Sequence, residues 1–569
     1  MDSPGKPSAM DVTPAFTLQD PTKHDDVQKI EHETGQIITD ETSRIETLMN
    51  EMEQQDQTTQ QKPRLFKFSP KTSHMTWFIA AFSSMGGLLF GLDQSLISGA
   101  NLFYPTALGL DAHQVSLVNA AMPLGAVGGA ILLIPSNEYL GRRKAIILST
   151  ILYTVGPALQ AGAFSYGLIV AGRVVMGLGV GIETGTVPVY VAETVESRLR
   201  GNMVSLYQFN IALGEVFGYV VAAIFLNVRG NWRFMLGSSV VFSTAMFLGM
   251  LILPESPRYL MHKNKTLEAY RVWKRLRDIA SPESQQEFFL MKEVVGTEAG
   301  QMREKSNRTR FVWLDFFTVP RARRAIVYAN IMILLGQFVG INGIMYYMGV
   351  LMKQIGFSEA NSTYMSLVGG GSLFLGTIPA IFYMERFGRR FWALTMLPGF
   401  FIGLLITGIS YLYNPTQNVR AAEGLYLTGL ILYMAFYGPY ACLTWVIPSE
   451  VYPTYLRSYG MATSDGMVFL GSFIITYNFT SMQEAMTKTG LTLGFFGGIA
   501  VLGWFYQLFF MPETQNLKLE EIDAVFSLPT SELVRRNWKS SVQTVSNLVH
   551  RRHISGTEDS DRRISGQKE

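Results

Sequence analysis

Asp93 is the residue whose chemistry most needs an account. It stands in Gly91-Leu-Asp93-Gln94-Ser95, inside a long apolar run. A carboxylate at membrane depth costs several kcal/mol unless it is paired, hydrated or protonated, so such a group marks a solute path or a proton relay. Other chemistries find no foothold. The single cysteine, Cys442, makes no disulfide and no Cys-based metal site, and the seven histidines include no HxxxH pair. No catalytic constellation and no Walker loop occur, so the chain reads as neither an enzyme nor an ATP-driven pump, with no metal or cofactor.

The elements that would hold such a residue are legible. Of 569 residues, 48% are apolar and only 16% charged, against roughly 25% charged in soluble domains. A net charge of +3, with no basic stripe among aromatics, excludes nucleic acid as a partner. Apolar runs near 75–97, 115–135, 145–166, 168–191, 203–226, 233–253, 325–352, 362–384, 391–412, 424–447, 459–479 and 490–511 have the length needed to cross ~30 Å of hydrocarbon as helices. They predict an all-α membrane protein of twelve transmembrane helices, since barrel strands would be about half as long and would alternate. Basic residues gather in the loops after runs 2, 4, 6, 8 and 10, which predicts that this set and both termini are cytoplasmic. No secretory signal is visible at Met1.

Motifs recur at one offset of about 250 residues. Glu138-Tyr-Leu-Gly-Arg142-Arg143 returns as Glu385-Arg-Phe-Gly-Arg389-Arg390, Glu193 with Arg200 returns as Glu450 with Arg457, and Pro254-Glu255-Ser256 returns as Pro512-Glu513-Thr514. Two parallel six-helix halves follow, 74–253 and 325–514, with the solute path at their seam. Between them 254–324 is a hydrophilic linker with a helical stretch at Leu267–Ile279. The tails, 1–73 and 515–569, read as polar. The first is expected to be disordered, with Ile30, Ile37, Ile38, Ile45, Leu48, Met49 and Met52 as the only trace of an amphipathic helix. The second has a short possible helix at Leu517–Phe526.

Arg173 with Gly177, Gly179 and Gly181, the Pro188-Val-Tyr190-Val-Ala-Glu193 stretch, Pro254-Glu255-Ser256-Pro257-Arg258-Tyr259-Leu260, Gln337-Phe-Val-Gly340-Ile-Asn342, and Pro448-Ser449-Glu450 make residues 75–525 resemble the sugar porter family of the major facilitator superfamily, and its fungal members in particular. The resemblance implies two pseudo-symmetric bundles that carry a sugar or polyol by alternating access. Asp93 matches the aspartate of proton-coupled members and Arg173 the arginine facing it. Gln208, Gln337, Asn342 and Trp445 match positions that contact the sugar; amides both donate and accept, as hydroxyls require, and an indole face suits a pyranose. Tyr346 and Tyr347 match an outward gate. Glu138, Arg142, Arg143, Glu193, Arg200, Glu255, Arg258, Glu385, Arg389, Arg390, Glu450 and Arg457 match clusters read as salt-bridge latches between the halves, or as positive-inside anchors.

Three departures bear on specificity. Gly336 precedes Gln337 where the family often has two glutamines. Glu215 replaces a neutral residue, and Asp465, Val468 and Phe469 stand where polar or indole contacts are usual. Glu215 is therefore expected in the solute site, and Glu215 and Asp465 either reshape specificity, add a protonatable group, or reach water. Asn361-Ser-Thr363 is a glycosylation sequon on the outer side. The expected partners are a sugar or polyol, a proton and the bilayer, with the chain a monomer in the plasma membrane. The rival functions are proton-independent facilitated diffusion and a non-transporting nutrient sensor.

Overall fold

The computed structural model describes residues 43–58, 72–195, 200–306, 312–413, 419–453, 456–515 and 525–549. Twelve spans of helix succeed one another: α1 Thr72–Ala100, α2 Ala112–Tyr139, α3 Arg142–Ala161, α4 Tyr166–Thr194, α5 Arg200–Phe225, α6 Asn231–Ile252, α7 Pro320–Ile355, α8 Glu359–Phe387, α9 Arg389–Ser410, α10 Val419–Val451, α11 Arg457–Met486 and α12 Gly490–Phe510. Ten of these show an apolar stretch long enough for a bilayer among the described residues. The other two, α1 and α11, have 29 and 30 residues, ample length at 1.5 Å per residue. Each helix falls on one of the twelve runs.

The halves meet along α2 with α11 and α5 with α8, two contacts that the internal repeat exchanges. Within the first half α4 lies against α2 so closely that a methyl group on Gly177 or Gly181 would strike the backbone of Met122 or Ala126, at 2.2 and 2.0 Å. The GxGxG spacing thus serves helix approach. It also brings Arg173, one turn earlier, onto the Val118 carbonyl of α2.

α7 is interrupted. Its first segment ends at Phe338 and its second begins at Ile341. Gly340 between them has φ 89° and sits where a methyl would meet the Phe496 ring at 2.5 Å, so only glycine fits the break.

Both repeats build one brace at the end that carries the arginines, here called the basic end. Gly141 and Gly388 precede α3 and α9 with φ 89° and 85°. The glutamate of the downstream motif lies against each glycine and takes the helix's free N–H groups: Glu255 accepts from Arg143 N at 2.9 Å, and Glu513 from Arg389 N and Arg390 N at 2.9 and 3.1 Å. An anion at a helix N-terminus is favoured by those donors and by the helix dipole.

The tails differ from expectation in two places. Residues 43–58 form a helix with Leu48, Met49 and Met52 buried, grouped with 278–294 in a compact unit; the amphipathic trace wins because it has apolar surface to cover. Ile30, Ile37 and Ile38 lie outside the described residues. A second helix, Thr530–Val549, follows the last span. Its own pattern is too polar to announce it, but Leu533 and Asn537 are buried, Trp538 stacks on Phe509 with ring centroids 5.9 Å apart, and Asn537 Nδ2 donates to the Phe509 carbonyl. Of the expected Leu517–Phe526 helix, residues up to 524 lie outside the described residues. The linker holds Pro257–His262, Thr266–Leu276 and Pro282–Ser306.

Candidate functional site

Asp93, in the second half of α1, meets Arg173 of α4. One guanidinium nitrogen, Nη1, lies 2.6 and 2.7 Å from the two carboxylate oxygens, and Arg173 is wholly buried. Arg173 Nε donates to Val118 O at 3.3 Å while Nη2 finds no acceptor. The guanidinium also lies over the Tyr346 ring of α7, 5.8 Å from its centre. The pair thus belongs to the first half but faces the second, and one of its donors is left over.

The amides form a chain across the seam. Gln94 Nε2 donates to Asn342 Oδ1 at 2.7 Å, and Asn342 Nδ2 donates to Gln337 Oε1 across the break in α7. The break therefore lets residues five apart turn toward one point from separate helix segments. Trp445 Nε1 of α10 donates to Gln208 Oε1 of α5 at 2.8 Å, and the Tyr207 ring packs edge-on against that indole. Gln208, Gln337, Asn342 and Trp445 are each about 5–6% exposed, so in this packing the halves satisfy these groups mutually. Such groups can exchange partners for a hydroxylated solute at little cost, because donors and acceptors match on both sides.

Glu215 is buried on α5 with Oε2 unpartnered, near Tyr219, Tyr346 and Tyr437. Asp465 is buried on α11, its Oδ2 also unpartnered. Phe469 meets Phe90 edge-on across the seam, and Val468 is buried. Toward the end opposite the arginines, Tyr346 and Tyr347 both sit at the interface. Asn101 Nδ2 donates to the Tyr346 carbonyl at 2.8 Å, and Tyr347 Oη donates to Ser116 Oγ at 3.3 Å. Gly336, where an amide is missing, is covered by the Tyr440 ring, 3.0 Å from where a methyl would lie. The glycine therefore makes room for an aromatic ring. Asn361 is exposed in the first turn of α8.

Two ion pairs of the charge clusters brace single halves. Arg142 pairs with Glu193 at 2.9 Å and Arg389 with Glu450 at 2.7 Å, each within its own half. Ser256 Oγ and Thr514 Oγ1 donate to those same glutamates. The pairs brace each half because the arginine at a helix start and the glutamate at the end of the next helix share one edge of the bundle. Arg143 Nε and Nη2 donate to the carbonyls of Met250 and Leu251, and Arg390 donates to those of Met511 and Leu508. Burial pushes the Glu255 carboxyl above its ordinary range, opposed by the N–H groups of Arg143 and Ser256. Glu138 is exposed, and Arg258 and Arg457 are half-buried; the side chains of Arg200 and Glu385 lie outside the described residues.

Sequence reasoning passed over Gln94, next to Asp93, and Glu183 in Gly181-Ile-Glu183-Thr-Gly185. Both are polar groups inside apolar runs, the signal that singled out Asp93. An apolar cavity of about 300 Å³ between Phe338, Ile475, Met482 and Phe495 offers hydroxyls few partners and is not this site.

The family described as "Sugar (and other) transporter" matches residues 79–526. A myo-inositol transporter of Gibberella moniliformis is 63% identical over 92% of this chain and 93% of its own length. The human proton myo-inositol cotransporter is 28% identical over 80% and 82%, and the galactose-proton symporter of Escherichia coli 28% over 79% and 94%. A solved proton:xylose symporter of the major facilitator superfamily, bound to a bromo-deoxyglucose, has the same fold, with a TM-score of 0.68, 23% identity, and coverage of 80% of this chain and all of that one. With its buried ion pair, its amide chain across two repeats and a match over most of its length, this chain belongs to the sugar (and other) transporter family of membrane carriers.

Proposed function

We propose that the protein carries a cyclic polyol of the inositol class, or a closely related sugar, together with a proton, by alternating access across the plasma membrane. The observation that carries the reading is the Asp93–Arg173 pair, buried at the seam and facing Tyr346. Asp93 ionised holds Arg173. A proton on Asp93 weakens that hold and leaves the guanidinium short of acceptors, a state that solute binding and rearrangement of the halves can compensate. Next to Asp93, Gln94 is tied through Asn342 to Gln337, so solute entering the amide chain acts on the same turn of α1 that carries the proton.

The basic loops support cytoplasmic termini, and a site supplied by both halves of one chain supports a monomer. A myo-inositol transporter among the relatives supports the solute class, and relatives that carry myo-inositol or galactose with protons support the coupling. The test is uptake of labelled myo-inositol by transport-deficient yeast expressing the chain, at two external pH values, with hexoses, pentoses and linear polyols as competitors. Uptake that is inhibited by inositol, stimulated by acid and abolished by a protonophore is expected. Uptake indifferent to pH and protonophore would make the chain a facilitator, and none in counterflow would make it a sensor.

A further inference from the structure

Glu183 on α4 is used by nothing described so far. It is 1% exposed and neither carboxyl oxygen has a partner. It fills a notch on α1 left by Gly86, where a methyl would fall 1.0 Å from Oε1. Two residues on, Gly185 leaves a second notch, and into it comes Asp465 from α11 of the other half: a methyl on Gly185 would stand 2.8 Å from Asp465 Oδ2, which is also unpartnered. Tyr207 of α5 lies near enough to both carboxyls to feel their charge. Its ring touches Trp445, which places the two acids beside the solute site.

The surroundings supply no counter-charge. α3 presents Tyr153 to Glu183 and α5 presents Tyr207. The charged residue on α1 is Asp93, already held by Arg173. α2 has no ionisable side chain between His113 and Glu138. Beside Asp465, Ser464 bonds Tyr452 of α10 and Asn330 of α7. Among the described residues no Lys or Arg pairs with either acid. Two uncompensated carboxylates in a dry interior would each cost several kcal/mol.

On the transport reading above, we infer that Glu183 and Asp465 are two further proton-binding groups, and that the halves close at the basic end only when both carboxyls carry protons. Opening there lifts Asp465 off Gly185, wets both carboxyls and releases protons to that face; closing takes protons back from it. No bond other than O–H forms or breaks, and the protons come from and return to water.

The test is exchange of labelled for unlabelled solute in proteoliposomes, with pH varied from about 6 to about 8 only on the face exposing the basic end. The protonated fraction of an exposed carboxyl falls about tenfold per pH unit above its pKa. Wild-type exchange is expected to fall across this range, Glu183→Gln or Asp465→Asn to lessen the slope by about one decade per unit, and Asp465→Glu to keep it. A flat wild-type profile, or variants with the wild-type slope, would overturn the inference; the wild-type profile decides even if a variant fails to accumulate. Absence of exchange in the wild type would instead overturn the transport reading.

Discussion

Replacing Asp93 with Asn tests the ion pair directly. The amide keeps the shape of the protonated acid and cannot accept a charge-assisted bond through both oxygens. Arg173 Nη1 then keeps one neutral acceptor, the amide oxygen, in place of two carboxylate oxygens, Nη2 already has none, and Nε remains tied to Val118 O at 3.3 Å. Breaking a buried pair by removing one partner costs about 3–5 kcal/mol, or roughly two to three and a half decades in the population of this packing at 1.4 kcal/mol per decade. That is also the scale of the work that a proton landing on Asp93 must do. The variant should therefore behave as a carrier locked in its protonated form. In proteoliposomes with an imposed pH gradient it should fail to accumulate solute above the equilibrium level, while counterflow, which needs no net proton movement, persists. Accumulation by Asp93→Asn to the wild-type level would refute the assignment of Asp93 as the coupling group.

Two further perturbations follow from the same geometry. Asn342→Ala removes the middle of the chain linking Gln94 to Gln337 and leaves both amides unsatisfied; the half-saturation constant for the transported solute should rise by about one to two decades, at about 1–3 kcal/mol for lost buried hydrogen bonds, while Asp93-dependent pH stimulation stays. Glu255, at the basic end, has its carboxyl held above the ordinary value of 4.5 by burial. The folded protein then binds this proton more tightly than the unfolded chain, so stability is lost as pH rises from that ordinary value through the raised one; melting in detergent should show this loss, and Glu255→Gln should flatten it.

Much of this was legible in the residues. The twelve apolar runs fall on the twelve helices because hydrocarbon leaves a backbone few options, and the repeat of the Gly-Arg-Arg and Pro-Glu motifs matches two like braces. Asp93 and Arg173 stand out as charges in apolar runs. Glu183 carried the same signal and was overlooked, because the glycines around it matched a pattern in which only Arg173 and Glu193 drew notice. Other features depend on contacts that one-dimensional spacing cannot express. The Arg142–Glu193 and Arg389–Glu450 bridges close within halves, since residues about fifty to sixty apart share an edge of one bundle. Gly336 makes room for Tyr440, from a helix a hundred residues away. The helix Thr530–Val549 depends on Phe509 and Arg390 for its seat.

That seat breaks the symmetry between the repeats. Arg143 spends its side chain on the end of α6 alone, whereas Arg390, besides gripping the end of α12, donates to Asn537 O and Ser541 Oγ. Displacing the C-terminal helix would therefore slacken one bundle and spare its twin, leaving the amide chain untouched.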